Sequence, residues 1–198
     1  MSDLETMLSR RSISPALLGE PAPSDADIEL MLSAALRAPD HGKLEPWSFV
    51  LVRGDARREL GEVFAAALRR RDPDATEPLL ERERGRPQRA PLVIALGARI
   101  RPDHKIPEIE QVLAVGAAAM NILNAAHALG YGAMWTTGPN AHDPAVAEAL
   151  GFAAPDRLLG FVHVGTPRAE GIVPQRPQPA AHMVEWQGPV ARKVASAA

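Results

Sequence analysis

The chain contains no cysteine. That excludes disulfides, thiolate metal sites, iron–sulfur clusters and cysteine nucleophiles, and it fits a reducing compartment. Aromatic residues make up only 4% of the chain, with three Trp and a single Tyr, so each Trp marks a position that needs a reason. Neither sign of charge dominates: the formal net charge is −2, and no global field recruits nucleic acid. Long apolar runs are missing too. The run from Val112 to Met120 falls far short of the roughly 20 residues a membrane helix needs. The opening Met-Ser-Asp-Leu-Glu-Thr-Met has no apolar signal core, and the expected location is cytoplasmic. No Gly-x-Gly-x-x-Gly, Walker or Gly-x-Ser-x-Gly pattern is present. His41, His104, His127, His142, His163 and His182 are dispersed, without metal-ligand spacing. With no nucleophile beside an obvious base, any redox or transfer chemistry has to come from a cofactor.

What is present is ordinary globular material. The chain has 198 residues, 46% hydrophobic and 23% charged, which suits a single domain spanning 1–198. Proline, at 19 residues, punctuates it. A short helix is expected from Asp3 to Ser9, with Leu4, Met7 and Leu8 on one face. Ser24 and Asp27 form a capping-box start to a helix reaching about Arg37, with Ile28, Met31, Leu32, Ala35 and Leu36 inward. Pro39 stops that helix, Pro46 brakes the next segment, and Ser48–Arg53 reads as a buried strand. A helix over 56–70 follows. Residues 71–90 then form a polar, proline-broken excursion with room for a short helix near Leu79-Leu80, read chiefly as a solvated and mobile connection, with a pocket lid as the sharper alternative. Further strands are expected at 91–97, 133–137 and 157–165. A long apolar helix runs from Glu108 to Leu129, and a short one starts at Asp143-Pro144. Prolines preclude regular structure after Thr166. The tail nevertheless carries Ile172, Val173, Met183, Val184 and Trp186, which suggests docking onto a second subunit. The expected fold is an α/β (α+β) three-layer sandwich: a small mixed sheet of four strands between helix layers, with an edge that a partner's C-terminal tail could complete.

Two stretches draw attention for chemistry. Arg10-Arg11-Ser12 offers donors suited to a phosphate, although adjacent arginines are often just a solvated face. Arg37-Ala-Pro-Asp-His41, followed by Pro46-Trp47, holds a guanidinium, an imidazole and an indole on a proline-fixed connection. The bland alternative is that Arg37 caps helix carbonyls, His41 is exposed and Trp47 is core.

Together with Gly130-Tyr-Gly-Ala-Met-Trp-Thr-Thr137 and Gly160-Phe-Val-His-Val-Gly-Thr-Pro167, these stretches resemble the nitroreductase family in its small bacterial form, over a core of about 4–167 with the tail 168–198 outside it. The resemblance implies an FMN-dependent oxidoreductase using NADH or NADPH, built as an intertwined homodimer with FMN at the interface. By position it implies Arg10, Arg11 and Ser12 at the FMN phosphate and ribityl chain. Arg37 and His41 would be donated by the partner, and Trp135, Thr136 and Thr137 would line the flavin. Ala125, Ala126, His127, Ala128, Leu129 and Gly130 would lie near the nicotinamide, and no metal is implied. Arg37 or Lys43 could place a cation beside the flavin, and Arg168 is a candidate phosphate ligand. Electron-poor acceptors such as nitroaromatics or quinones would be reduced by ping-pong hydride transfer. Another flavin reaction, or flavin sequestration without turnover, would use the same motifs.

Overall fold

The computed structural model describes residues 3–169, 171–186 and 188. In chain order the elements are α1 (Asp3–Ser9), β1 (Leu18–Gly19), α2 (Asp25–Ala35), β2 (Trp47–Arg53), α3 (Ala56–Arg71), α4 (Glu77–Gly85), β3 (Leu92–Ala98), α5 (Glu108–Ala128), β4 (Gly132–Thr136), α6 (Pro144–Ala149) and β5 (Arg157–Pro167). The sheet runs β1-β5-β3-β2, with β4 also paired to β5. Every pairing is antiparallel, where a mixed four-stranded sheet was expected. The fifth strand, β1, is two residues long and exists only through its pairing with Thr166 and Pro167, a non-local partner that no periodicity announces.

β3 is buried along its whole length, so its alternating side chains divide the core. Leu92, Ile94 and Leu96 pack with α2 and α5 on one face, where Ile28, Met31, Ala118, Ile122 and Ala126 meet them. Val93 and Ala95 pack on the other, against Leu60 and Phe64 of α3 and Val146 of α6. These are the expected three layers. α5 has the length and mean hydropathy (1.3) of a membrane span, but Ala118, Ala119, Ile122 and Ala126 are fully buried in the protein core. It is the central helix of the fold.

Local signals explain the boundaries. The Ser24 hydroxyl accepts from Asp27 N–H (3.1 Å), and the Asp27 carboxylate accepts from Ser24 N–H (3.3 Å), closing the capping box. α2 ends at Ala35 with Leu36 as its cap. Leu36 is half exposed, not inward as its spacing predicts. The Asp143 carboxylate accepts from Ala145 N–H at 3.0 Å and caps α6.

Residues 71–90 depart most from expectation, because the excursion is a fixed wall. Leu80 and Glu83 of α4 are buried. Gly61 of α3 lies so close to α4 that a Cβ there would sit 2.3 Å from the Arg84 carbonyl oxygen. Arg71 donates to Asn140 Oδ1 (2.8 Å) and pairs with Asp143. Asn140 Nδ2 donates to Glu83 Oε2 (2.9 Å), and Arg86 Nε donates to Glu83 Oε1 (2.7 Å). This network gives the buried Glu83, Asn140 and Asp143 partners in the more exposed Arg71 and Arg86 and pins α4 to the turn after β4.

The tail makes a 3₁₀ turn at Pro179–His182, a small exception to the expected lack of regular structure. Ile172, Val173, Met183, Val184 and Trp186 are all exposed. Of the expected tail to residue 198, positions 170, 187 and 189–198 lie outside the described residues.

Candidate functional site

Residues 10–14 run alongside β4, tied there by Ile13 N–H donating to the Ala133 carbonyl at 3.0 Å. This sets the two arginines against the C-terminal end of α5. The Nε atoms of Arg10 and Arg11 are buried and have no hydrogen-bond partner among the described residues. Leaving such donors unpaired costs roughly 1–3 kcal/mol each, so their presence marks a place where something else binds. Ser9 Oγ and His127 Nε2 lie 3.0 Å apart and join the two elements. Burial first, then Arg10 and Arg11, hold the His127 imidazole below its ordinary pKa. Arg11, His127, Gly130, Tyr131, Gly132 and Arg168 line a cavity of about 450 Å³. Ser12 is exposed and is not among the residues that line it.

A second cavity, of about 250 Å³, lies on the α3 side of β4, lined by Ser14, Arg86, Arg89, Thr136, Thr137 and His163 among others. Phe64 and Phe161, in an edge contact at 5.1 Å, give it an aromatic floor. Strand alternation divides the predicted Trp135-Thr136-Thr137 run. Trp135 packs with the α5-side core, and its Nε1 donates to the Leu159 carbonyl at 3.1 Å. The Thr136 hydroxyl points the other way, 3.2 Å from His163 Nε2. Gly160, at φ 125°, makes room for both, because a Cβ there would lie 2.5 Å from the Thr136 carbonyl oxygen and 2.6 Å from the Trp135 indole nitrogen. Ligand contact on the Trp135 face would therefore reach Thr136 through its backbone.

His163 is buried, and its Nδ1 has no hydrogen-bond partner among the described residues. Burial, followed by Arg89 and Arg86, lowers its pKa to about 4. The imidazole is neutral in the folded chain, while the unfolded chain titrates near 6.5. Stability tied to this group is complete above the unfolded value and is lost as pH falls from about 6.5 toward about 4, amounting to about 3 kcal/mol at the acid end. Urea unfolding of wild type against His163→Phe between pH 7 and pH 4.5 checks this, with the steeper loss expected in wild type.

Arg37 and His41 sit elsewhere. Both are exposed, and Arg37 makes no side-chain hydrogen bond or ion pair among the described residues. His41 Nδ1 lies 2.6 Å from Glu110 Oε2 in the first turn of α5. The connection is fixed by unusual backbone: Gly42, Lys43 and Glu45 all have φ between 50° and 77°. Glu45 N–H donates to the Asp40 carboxylate at 2.7 Å. Lys43 and Glu45 are strained for non-glycine residues, a feature concentrated at functional loops. Trp47 packs half-buried against the core, as its bland reading had it. From Glu110 to His127 is the length of α5, about 25 Å at about 1.5 Å per residue. One chain therefore brings Arg10, Arg11 and His127 together and holds His41 a helix length away, with Arg37 just past the turn of α2 whose Ala34 carbonyl accepts from Asn121 at 3.0 Å.

Of the stretch expected near a nicotinamide, His127 and Gly130 line the larger cavity. Ala128 and Leu129 are exposed, and Ala125 is half-buried against the core. Ala126 is fully buried there and offers a ligand no surface, which corrects its inclusion. Sequence reasoning missed Arg86, Arg89 and His163. The only signal for Arg86 and Arg89 was charge in the excursion, while His163 stands inside the Gly160–Pro167 stretch of β5, and all three meet β4 through non-local packing. No group of three or more potential metal ligands occurs among the described residues.

The five-stranded antiparallel sheet, the long central helix and the cationic clefts along β4 define a nitroreductase-like α+β fold. A solved nitroreductase-like family protein from Bacillus cereus superposes with a TM-score of 0.81 at 22% identity, covering 95% of this chain and 97% of that one. The Nitroreductase family model matches residues 7–166, and the chain belongs to that family of oxidoreductases. YdjA of Escherichia coli K12, an NAD(P)H nitroreductase by name, is 36% identical over 168 residues, 85% of this chain and 90% of that protein. A nitroreductase from Desulfovibrio desulfuricans, solved in complex with FMN, is 27% identical with a TM-score of 0.70, over 96% of this chain and 99% of that one.

Proposed function

We propose that this chain is an FMN-dependent NAD(P)H oxidoreductase whose site is completed by a second copy of itself. The observation that carries the reading is the separation of the two predicted ligand sets along α5. Arg10, Arg11 and His127 lie at its C-terminal end, His41 lies at its first turn, and Arg37 follows the end of α2, whose Ala34 carbonyl accepts from Asn121 partway along α5. A flavin nucleotide at Arg10 does not reach its own chain's His41. An isologous pair with antiparallel α5 helices puts each copy's Arg37 and His41 beside the other's Arg10 and Arg11. The surface of α5 supports such a pairing. Ile109, Leu113 and Met120 are exposed and share one helical stripe. Gly116 lies between them with nothing within 4 Å of where a Cβ would be. The exposed Leu4, Met7 and Leu8 of α1 extend the apolar surface.

The residues present fit the cofactor. Buried, unpartnered guanidinium nitrogens at Arg10 and Arg11 suit phosphate oxygens, with Arg168 on the same cavity. Arg86 and Arg89 place positive charge beside Thr137, where it would compensate negative charge on a reduced ring. Bound FMN supplies the hydride chemistry, accepting from NADH or NADPH and passing on to an electron-poor acceptor such as a nitroaromatic or quinone. The chain's own task is to bind and orient. The arginines hold the phosphate, Gly160 lets Trp135 and Thr136 set β4 rigidly, and the neutral His163 fixes the Thr136 hydroxyl. No side chain has to serve as acid or base, since solvent can supply the proton. Visible spectra of the purified protein, taken before and after anaerobic NADH or NADPH, test this. Flavin bands that bleach and return with a quinone or nitroaromatic are expected. Flavin bands that never bleach would indicate a binding protein, and a chain that takes up no FMN would refute the reading.

A further inference from the structure

The cavity at the end of α5 contains a histidine whose setting makes no sense in the free chain. His127 lies beside two guanidinium groups, and its Nε2 is engaged by Ser9 Oγ at 3.0 Å. It shares the cavity with Arg11 and Arg168. The charged and titratable groups around it are Arg10 and Arg11 from the segment after α1, Glu5 on α1 itself and Arg168 from the end of β5. Tyr131 follows α5, and its hydroxyl donates to Asp27 at 2.9 Å. Arg176 of the tail donates to the Arg10 carbonyl at 2.9 Å. Arg11, His127 and Arg168 line the cavity, with the carboxylate of Glu5 on the neighbouring α1 outside that lining, and the buried Nε atoms of Arg11 in the lining and of Arg10 beside it have no partner among the described residues. A site of this kind is built for a multiply charged anion.

We infer that His127 is a phosphate-binding residue of this cavity, not a nicotinamide contact, and that a phosphate monoester enters it together with a proton taken up by the imidazole. This rests on the proposed flavin reading for the origin of the phosphate and extends it by one residue and one proton. In the free chain the imidazole is neutral, because burial and then Arg10 and Arg11 oppose its charge. A phosphate dianion reverses that balance: it compensates both arginines and attracts an imidazolium. The pKa of His127 is therefore higher with ligand than without. Affinity gained through this proton is present at low pH and is lost as pH rises through the bound-state value. The last turn of α5 works in the same direction, since its carbonyl end favours a cation. The phosphate can come from the 5′ end of FMN or from the 2′ position of NADPH; the chemistry at the cavity is the same.

The test is titration of the full-length, flavin-stripped chain from pH 6.5 to 8, a window above the second phosphate pKa of about 6. Wild-type affinity for FMN is expected to fall about tenfold across the window, since one linked proton gives up to one decade per pH unit. Riboflavin, which lacks the phosphate, should stay level. In His127→Gln the FMN slope should flatten while circular dichroism stays unchanged. Calorimetry in two buffers of different ionisation enthalpy reads the proton directly. If the slope appears instead in the difference between NADPH and NADH binding to the flavin-loaded protein, the cavity takes the 2′-phosphate and the assignment of His127 stands. If FMN or NADPH slopes are equal in wild type and His127→Gln, the inference is overturned. If neither flavin binds at all, the FMN reading fails, and inorganic phosphate titrated in the same two buffers still decides the inference: proton uptake supports it, and none refutes it.

Discussion

Arg10→Ala combined with Arg11→Ala is expected to weaken FMN retention by about 100-fold or more. Each guanidinium brings a buried Nε that makes no hydrogen bond in the chain itself. Burial, then Arg176, depresses the Arg10 pKa, so the protein holds this cation in place at a cost. A charge-assisted hydrogen bond to phosphate is worth roughly 1.5–3 kcal/mol, and losing two exceeds the roughly 2.7 kcal/mol that separates affinities 100-fold apart. Because the buried Nε donors have no partner among the described residues, the flavin-free variant should melt within a few degrees of wild type. Fluorescence titration with FMN and riboflavin checks the assignment. The loss should be large for FMN and small for riboflavin. Equal loss for both would place the arginines elsewhere on the flavin.

Leu113→Asp should convert the protein to monomer and remove its flavin, although Leu113 belongs to neither ligand set. Leu113 is 62% exposed and Ile109 61%, so in a single chain the change meets water and should leave folding intact. Between two copies it would bury a carboxylate in an apolar stripe. Burying one large aliphatic side chain contributes roughly 1.5–3 kcal/mol. In a two-fold interface each substitution counts twice, and the added desolvation cost of the charge enlarges the effect. Sedimentation should show a monomer, circular dichroism an unchanged helix content, and absorbance a loss of bound FMN. A flavin-loaded monomer would contradict the shared site.

Much of this architecture was legible in sequence because its causes are local. Ser24 and Asp27 close the predicted capping box, Pro39 and Pro46 bound the loop that carries His41, and β3 reads as a buried run. Even the tail's apolar residues, expected to seek a second subunit, are exposed in one chain. What was not legible depends on contacts distant in sequence. β1 exists only against the far end of β5. The segment 71–90 looks like a polar excursion until Asn140 and Asp143 are seen to engage Glu83 and Arg71. With that wall in place Arg86 and Arg89 face β4, so the second cavity could not be read from composition. In the candidate site, the resemblance grouped Trp135, Thr136 and Thr137 around one flavin, and strand alternation turns Trp135 to the α5 side and Thr136 to the cavity that Thr137 also lines. It also placed Ala126 beside a ligand, where helical periodicity turns it into the core.

The account's central claim is a flavin site assembled from both ends of two α5 helices. Subunit complementation tests it most directly. Arg10→Ala/Arg11→Ala chains and Arg37→Ala/His41→Ala chains, carrying different tags, are co-expressed, and the mixed dimer is isolated through both tags. Each parent dimer has two damaged sites. The mixed dimer has one site damaged on both sides and one intact, so it should hold about one flavin while the parents hold little. A mixed dimer as empty as its parents, or an Arg37→Ala/His41→Ala parent that keeps its full flavin, would contradict a site shared between copies.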